Sequence, residues 1–145
     1  AIEIGLWHAA NESETKDSIS QIILIGDASA NSQTEVKNKR SHLGEDYWKS
    51  TRFNQSTYFT TELQRLTARN IPVHAFYLHK GAQDSFKTIA SQTSGRCEYL
   101  NINSPEGAEI LTNFVTEEVL RKTAGDQGDT VVELYRRKYV KAAFT

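Results

Sequence analysis

Methionine is absent from the 145 residues, cysteine occurs once and proline twice. A single cysteine, Cys97, rules out an internal disulfide. One thiol and scattered histidines do not make a zinc ligand set. No run approaches the roughly 18 consecutive apolar residues of a membrane-crossing helix. Charge of one sign is also missing: 17 basic residues face 18 acidic ones, for a formal net charge of -1. Such a chain carries no electrostatic footprint for nucleic acid or an anionic membrane. No signal peptide or lipidation motif is visible. There is no Gly-x-Ser-x-Gly elbow, no phosphate-cradling glycine loop and no Gly-x-Gly-x-x-Gly, and no nucleophile–base pair can be assembled. The missing methionine includes position 1. Ala1-Ile2-Glu3-Ile4-Gly5-Leu6-Trp7-His8 already looks amphipathic, whereas natural starts are looser and more polar. The expectation is a piece of a longer protein, or a processed one.

What is present is best read from Gln21-Ile22-Ile23-Leu24-Ile25-Gly26-Asp27-Ala28-Ser29. A short apolar run bounded by turn residues predicts a strand buried on both faces. Its carboxyl end is where open α/β sheets place ligands, so Asp27 stands where binding or chemistry is expected. Two more runs read as strands: Pro72 to Leu78, dense in β-formers, and Cys97 to Ile102, whose alternation suggests an edge strand with one wet face.

Helical patterns lie between them. Ser56 to Arg69 carries Phe59, Leu63 and Leu66 at helical spacing and is stopped by Asn70. Ala82 to Thr93 carries Phe86, Ile89 and Ala90, with Gly95 just past its end. Ser104-Pro105 is an N-cap followed by proline at the first helical position, predicting a helix to about Lys122. Gly125-Asp126-Gln127-Gly128-Asp129 reads as a linker, and Asp129 as the cap of a last helix from Thr130 to about Ala142. Val131, Leu134, Tyr135 and Tyr139 form its apolar face; Arg136, Arg137, Lys138 and Lys141 form a solvated one near the favourable end of the macrodipole. Residues 30–55 are polar. A short helix from Gln33 to about Arg40 is expected there, then a loop in which Tyr47, Trp48 and Phe53 either pin the loop to the body or form a recognition surface.

Strands alternating with helices predict parallel pairing through right-handed crossovers. The expected fold is α/β: a three-layer, Rossmann-like arrangement of three parallel strands flanked by helices. The strand Gln21 to Gly26 is too apolar for an exposed edge, so a covering neighbour is expected: a missing N-terminal half, a second copy or a swapped element.

At this point the chain resembles a family. Ile22-Ile23-Leu24-Ile25-Gly26-Asp27-Ala28 is similar to the fourth strand of a von Willebrand factor A domain, which usually ends in Thr-Asp-Gly. Leu66 to Phe76 resembles the next helix-to-strand step, and Phe86 to Arg96 the helix after it. Ala1 to Ala10 resembles the helix before that fourth strand. The resemblance assigns residues 1–124 to the C-terminal half of such a domain and leaves 125–145 as linker and terminal helix. It implies an open, mostly parallel sheet and a metal-ion-dependent adhesion site, in which oxygen ligands hold a hard cation such as Mg²⁺. It places Asp27 among the metal ligands. The chain contains no Asp-x-Ser-x-Ser, and Asp17-Ser18-Ile19-Ser20 has the wrong spacing. With two of the family's three ligand loops missing, Mg²⁺ is implied only if the other half is supplied.

For the chain alone, Asp27 also reads as a turn residue closing its strand. His74 reads as a hydrogen-bonded strand histidine, His79 and Lys80 as loop residues at a strand's carboxyl end, and Cys97 as a small buried core residue. His8 and His42 have no clear partners. Two functions remain. The first is a non-enzymatic protein-interaction module engaging a protein partner. The second is a Mg²⁺-dependent phosphatase of haloacid-dehalogenase-like fold, for which the chain lacks the Asp-x-Asp nucleophile strand. The lone cysteine is compatible with a cytosolic home.

Overall fold

The computed structural model describes residues 1–140. The chain forms two compact units, Ala1–Tyr99 and a second that begins at Leu100. The first is α/β. Its elements are α1 (Ile2–Glu12), β1 (Ile22–Gly26), α2 (Gln33–Ser41), α3 (Glu45–Lys49), α4 (Phe59–Ala68), β2 (Val73–Tyr77), α5 (Gln83–Gln92) and β3 (Cys97–Tyr99). The strands pair in parallel in the order β1-β2-β3, with Ile22 opposite Val73 and Ala75 opposite Cys97. This is the three-stranded parallel sheet flanked by helices that the alternation predicted, an architecture consistent with a Rossmann-like fragment. Strand β3 stops at Tyr99, short of the expected Ile102.

The core forms where the stripes of three helices meet one face of the sheet. Leu6 and Ala10 of α1, Leu63 and Leu66 of α4, Ile89 of α5 and Val73 of β2 make one buried cluster, with Ile22 and Leu24 packed against it. Phe86 and Ala90 of α5 join Ala75 in a second. Arg65 links the ends of α1 and α4, donating to Asn11 at 2.8 Å and bridging Glu14 and Glu62.

Helix α4 ends as Asn70 foretold. Asn70 adopts φ 56, its N–H donates to Thr67 O, and Ile71 N–H donates to Leu66 O, the Schellman pattern. Helix α5 ends the same way on a different residue from the one expected. Ser94, not Gly95, takes the left-handed conformation, at φ 57, and Gly95 N–H closes the motif on Ala90 O at 2.8 Å. Gly95 is needed for another reason: a Cβ there would sit 2.0 Å from the carbonyl oxygen of Val73.

The second unit contains α6 (Gly107–Ala124) and α7 (Gly128–Tyr139), joined by a 3-10 turn at Gly125–Gln127. Three sequence readings are corrected here. Ser104 does not cap α6. Its hydroxyl accepts from Glu106 N–H, closing a turn first, and the helix starts at Gly107, where a Cβ would meet Asn101 O at 2.3 Å. Residues 125–129 are not a loose linker, and Asp129 lies inside α7 rather than capping it. The buried face of α7 is also rotated from the one expected. A Cβ on Gly128 would meet Arg121 O at 2.6 Å, so this face turns to α6 and carries Val132 and Arg136 with it at helical spacing. Tyr135 donates to Asn113, and Arg136 makes two bonds, at 2.7 and 2.6 Å, to the buried Glu117. Leu134 and Tyr139, expected inside, are 59% and 58% exposed. Arg136 thus pairs with Glu117 while remaining partly in solvent, its side chain 45% exposed. Lys141 and Ala142, placed on this helix by the sequence reading, lie outside the described residues.

The two residues after α5 should respond oppositely to substitution. Gly95→Ala should destabilise by roughly 1–3 kcal/mol or more through overpacking on Val73. Ser94→Gly should be neutral or stabilising by up to about 1 kcal/mol, because it relieves a left-handed non-glycine residue. Urea unfolding of both variants checks this; equal losses would contradict the assignment.

Candidate functional site

The carboxyl edge of the sheet is assembled from two loops. Asp27 follows β1 immediately and is exposed. Ser29 Oγ donates to Gly81 O at 3.1 Å, and Ala30 N–H donates to Ser85 Oγ at 3.0 Å, so the segment after β1 is held against the start of α5. His79 and Lys80 lie on the same edge, both exposed. His79 Nδ1 accepts from Gly81 N–H at 3.1 Å, which leaves Nε2 to carry the proton of the neutral ring. The rings of Tyr77 and Tyr99, at the ends of β2 and β3, lie 5.5 Å apart.

The edge therefore brings Asp27, Ser29, His79 and Lys80 onto one side of the sheet, but supplies a single carboxylate. Among the described residues no group of three or more His, Cys, Asp or Glu side chains could hold a metal ion. The side chain of Asp27 makes no hydrogen bond or ion pair among them. These residues alone do not fit a hard divalent cation, which takes six or more oxygens.

The other candidates are dispersed. His74 is buried in β2 and its Nδ1 accepts from Arg96 N–H at 3.1 Å, so it is a structural histidine. His8 stacks edge-on against Trp7, and His42 caps α2 on the surface. Cys97 is half-buried rather than fully buried, packed beside Ala75, Phe86 and Ala90. Burial pushes its thiol pKa up, and the charge of Glu98 adds to this; Lys87 opposes both. A thiol shifted in this direction is a poor nucleophile at neutral pH.

The polar stretch after β1 is more ordered than its composition suggested. Helix α2 begins with a capping box in which Ser32 and Glu35 satisfy each other's backbone N–H groups. The expected loop beyond it contains the short helix α3, and one side chain organises the whole region. The buried guanidinium of Arg40 holds Glu45 with two bonds, at 3.2 and 2.9 Å. It also donates to the carbonyls of Phe53, Asn54 and Gln55, and lies over the ring of Trp48. Trp48 Nε1 returns a bond to Arg40 O at 2.9 Å. Phe53 packs on Trp7 with centroids 5.2 Å apart. Trp48 and Phe53 pin this segment to the body, while Tyr47 remains exposed.

Two concave surfaces adjoin these elements. One, of about 350 Å³, runs between α1 and β1 and is lined by Ile2, Leu6, Ile22, Ile23 and Leu24. The other, of about 320 Å³, lies between α1, α2 and α3 and contains Glu3. Glu3 is a buried acid in this lining that the sequence reading did not single out. The signal was present: Glu3 shares the i, i+3, i+7 stripe of Leu6 and Ala10, so an acid occupies a core position of an amphipathic helix.

The fold is thus that of an α/β protein with a short parallel sheet, whose carboxyl edge is formed by the loops after β1 and β2. Comparison with protein families, curated proteins and solved structures finds no match to this chain. Among the described residues no helix is long and apolar enough to cross a membrane.

Two outcomes follow from these environments. Lysine cannot reproduce the planar fork of Arg40, so Arg40→Lys should cost about 2 kcal/mol and open residues 44–57 to limited proteolysis. Wild-type cleavage rates in that segment would show that Arg40 is dispensable. Alkylation of Cys97 by iodoacetamide should rise with pH about a midpoint above that of free cysteine. A midpoint at or below the free value would contradict the burial effect.

Proposed function

We propose that this chain is a non-enzymatic protein-interaction module. In this reading it is the C-terminal half of a von Willebrand factor A-type domain. The outer edge of β1 receives a strand from the other half, and Asp27 supplies one ligand to a divalent-cation adhesion site completed by loops outside this chain. The observation that carries the proposal is the one-sided pairing of β1. Among the described residues β2 is its only neighbour. Ile22 N–H donates to Pro72 O and Gly26 O accepts from Leu78 N–H, both at 2.9 Å. In a parallel ladder this parity turns the backbone groups of Ile22, Leu24 and Gly26 toward β2 and those of Ile23 and Ile25 away from it. The outward edge is aliphatic, with Ile25 45% exposed, and carries no lysine, proline or bulge of the kind that blunts a natural edge. Strand addition at such an edge takes its affinity from main-chain hydrogen bonds.

The strand order β1-β2-β3, with a carboxylate directly after β1, supports the family assignment. The phosphatase alternative is less favoured because it needs an Asp-x-Asp nucleophile strand, and the chain carries no Asp-x-Asp.

The edge is tested by sedimentation velocity. At high concentration wild-type chains should pair through β1 in place of the natural strand, raising the average mass, and Ile25→Lys should keep the chain monomeric. A wild type that is monomeric at every concentration would overturn the pairing edge. Hydrolysis of p-nitrophenyl phosphate that is lost in Asp27→Ala would overturn the non-enzymatic reading. The family assignment is tested by the parent reading frame. An Asp-x-Ser-x-Ser roughly a hundred residues before Ala1, a spacing set by domain size, would support it, and a frame without one would sink it.

A further inference from the structure

The cavity between α1, α2 and α3 combines three observations. First, Glu3 is only 5% exposed, yet one of its carboxylate oxygens, Oε2, is buried with no hydrogen-bond partner among the described residues. An acceptor left in that state has lost its water without a replacement, so native structures rarely leave one unanswered. Second, Glu3 Oε1 accepts from Asn31 Nδ2 at 2.7 Å, while Asn31 Oδ1 accepts from Lys39 Nζ at 2.6 Å. A single amide therefore bridges a buried carboxylate and an exposed ammonium. Third, most of the remaining wall is apolar and aromatic, formed by Ile4, Val36, Trp48 and Phe53, with Ala1, Arg40 and Thr57 completing it. The volume of about 320 Å³ is at the lower end of the range for small-molecule sites, roughly 300–1,000 Å³.

We infer that this cavity binds a free α-amino acid with an apolar or aromatic side chain. The ligand's ammonium group answers the second oxygen of Glu3, its carboxylate meets Lys39 at the rim, and its side chain lies against Val36, Trp48 and Phe53. The terminal torsion of a glutamate is soft, so a rotation of the Glu3 carboxylate turns Oε2 toward the cavity while Asn31 keeps a bond to the group. Lys39 has three donors and spends one on Asn31, leaving two for a ligand carboxylate. The amide of Asn31 carries its donor and acceptor on one carbon, and an α-amino acid carries its two charges on neighbouring carbons. The ligand therefore spans Glu3 and Lys39 on nearly the same scale as Asn31 does. A monoamine would leave the free donors of Lys39 unused, and a monocarboxylate would leave Glu3 unanswered. Arg40, itself part of the lining, packs on Trp48 and bonds Glu45, and so holds the aromatic wall in place. This site is separate from the β1 edge and does not depend on the proposed interaction function.

The test uses the 145-residue chain and three probes: L-phenylalanine, phenethylamine, which lacks the carboxylate, and 3-phenylpropionate, which lacks the amine. Binding is read by calorimetry and by NMR shifts of the Asn31 side-chain amide and the Trp48 indole N–H. L-Phenylalanine should saturate and shift both resonances, and each truncated probe should bind at least tenfold more weakly. In Glu3→Gln the preference for L-phenylalanine over 3-phenylpropionate should collapse; in Lys39→Ala the preference over phenethylamine should. The probe comparison on wild type stands even if Glu3→Gln does not fold. The inference is overturned if L-phenylalanine shows no saturable binding at millimolar concentration, if either truncated probe binds as tightly, or if the shifts spare Asn31 and Trp48.

Discussion

The first unit depends on the burial of β2. Val73, His74, Ala75 and Phe76 are all buried, so every polar group they carry must be answered inside the protein. The ladder with β1 answers one side of the strand; on the other, most answers come from one short stretch, Thr93 to Arg96. Thr93 Oγ1 accepts from Val73 N–H at 2.9 Å and donates back to Ile89 O in the last turn of α5. His74 Nδ1 accepts from Arg96 N–H, and Ala75 N–H donates to Arg96 O at 2.8 Å. Gly95 lies between them because only a residue without Cβ lets this stretch approach the Val73 carbonyl. The turn that ends α5 is therefore also the lock on the central strand, and it sets the point at which β3 can begin at Cys97.

With β2 locked, the sheet has two very different flanks. On one side β3 is three residues long and partly exposed, the form in which a natural edge is usually left. On the other side β1 is longer and wholly aliphatic before Gly26, and it offers the outward-turned backbone of Ile23 and Ile25. Gly26 lets the strand close against Phe86, whose ring would lie 3.1 Å from a Cβ. The same strand thus has a tightly fitted inner face and an open outer edge. Its carboxyl end delivers Asp27 to the side of the sheet where His79 and Lys80 emerge.

The region after β1 shows how a polar composition can be ordered without an apolar core of its own. Arg40 replaces hydrophobic burial with a fork of hydrogen bonds to three successive carbonyls, a carboxylate and an indole face. Such a fork is specific to arginine, whose planar donors meet several acceptors at fixed angles. By fixing Trp48 and Phe53 it shapes the wall of a cavity lined in part by Glu3, whose Oε2 is the one carboxylate oxygen left unanswered among the described buried side chains.

The periodicity of the sequence determined the α/β class, the three strands, the main helices and the position of Asp27, because hydrophobic spacing and turn residues act over a few neighbours. Asn70 ended α4 as predicted for the same reason. Where two segments distant in sequence meet, local signals misled or were silent. Gly95 reads as a helix stop and closes that motif, but its contact with the Val73 carbonyl was silent in the sequence. Gly128 looked like linker and fixes which face of α7 is buried, which turned Leu134 outward and gave Arg136 to Glu117. Glu3 lay on the core stripe of α1 by spacing alone. Its burial, its bond to Asn31 and its unanswered oxygen exist only once α1, α2 and α3 converge. Close approach and desolvation belong to pairs of segments brought together in space, so only the tertiary structure could decide them.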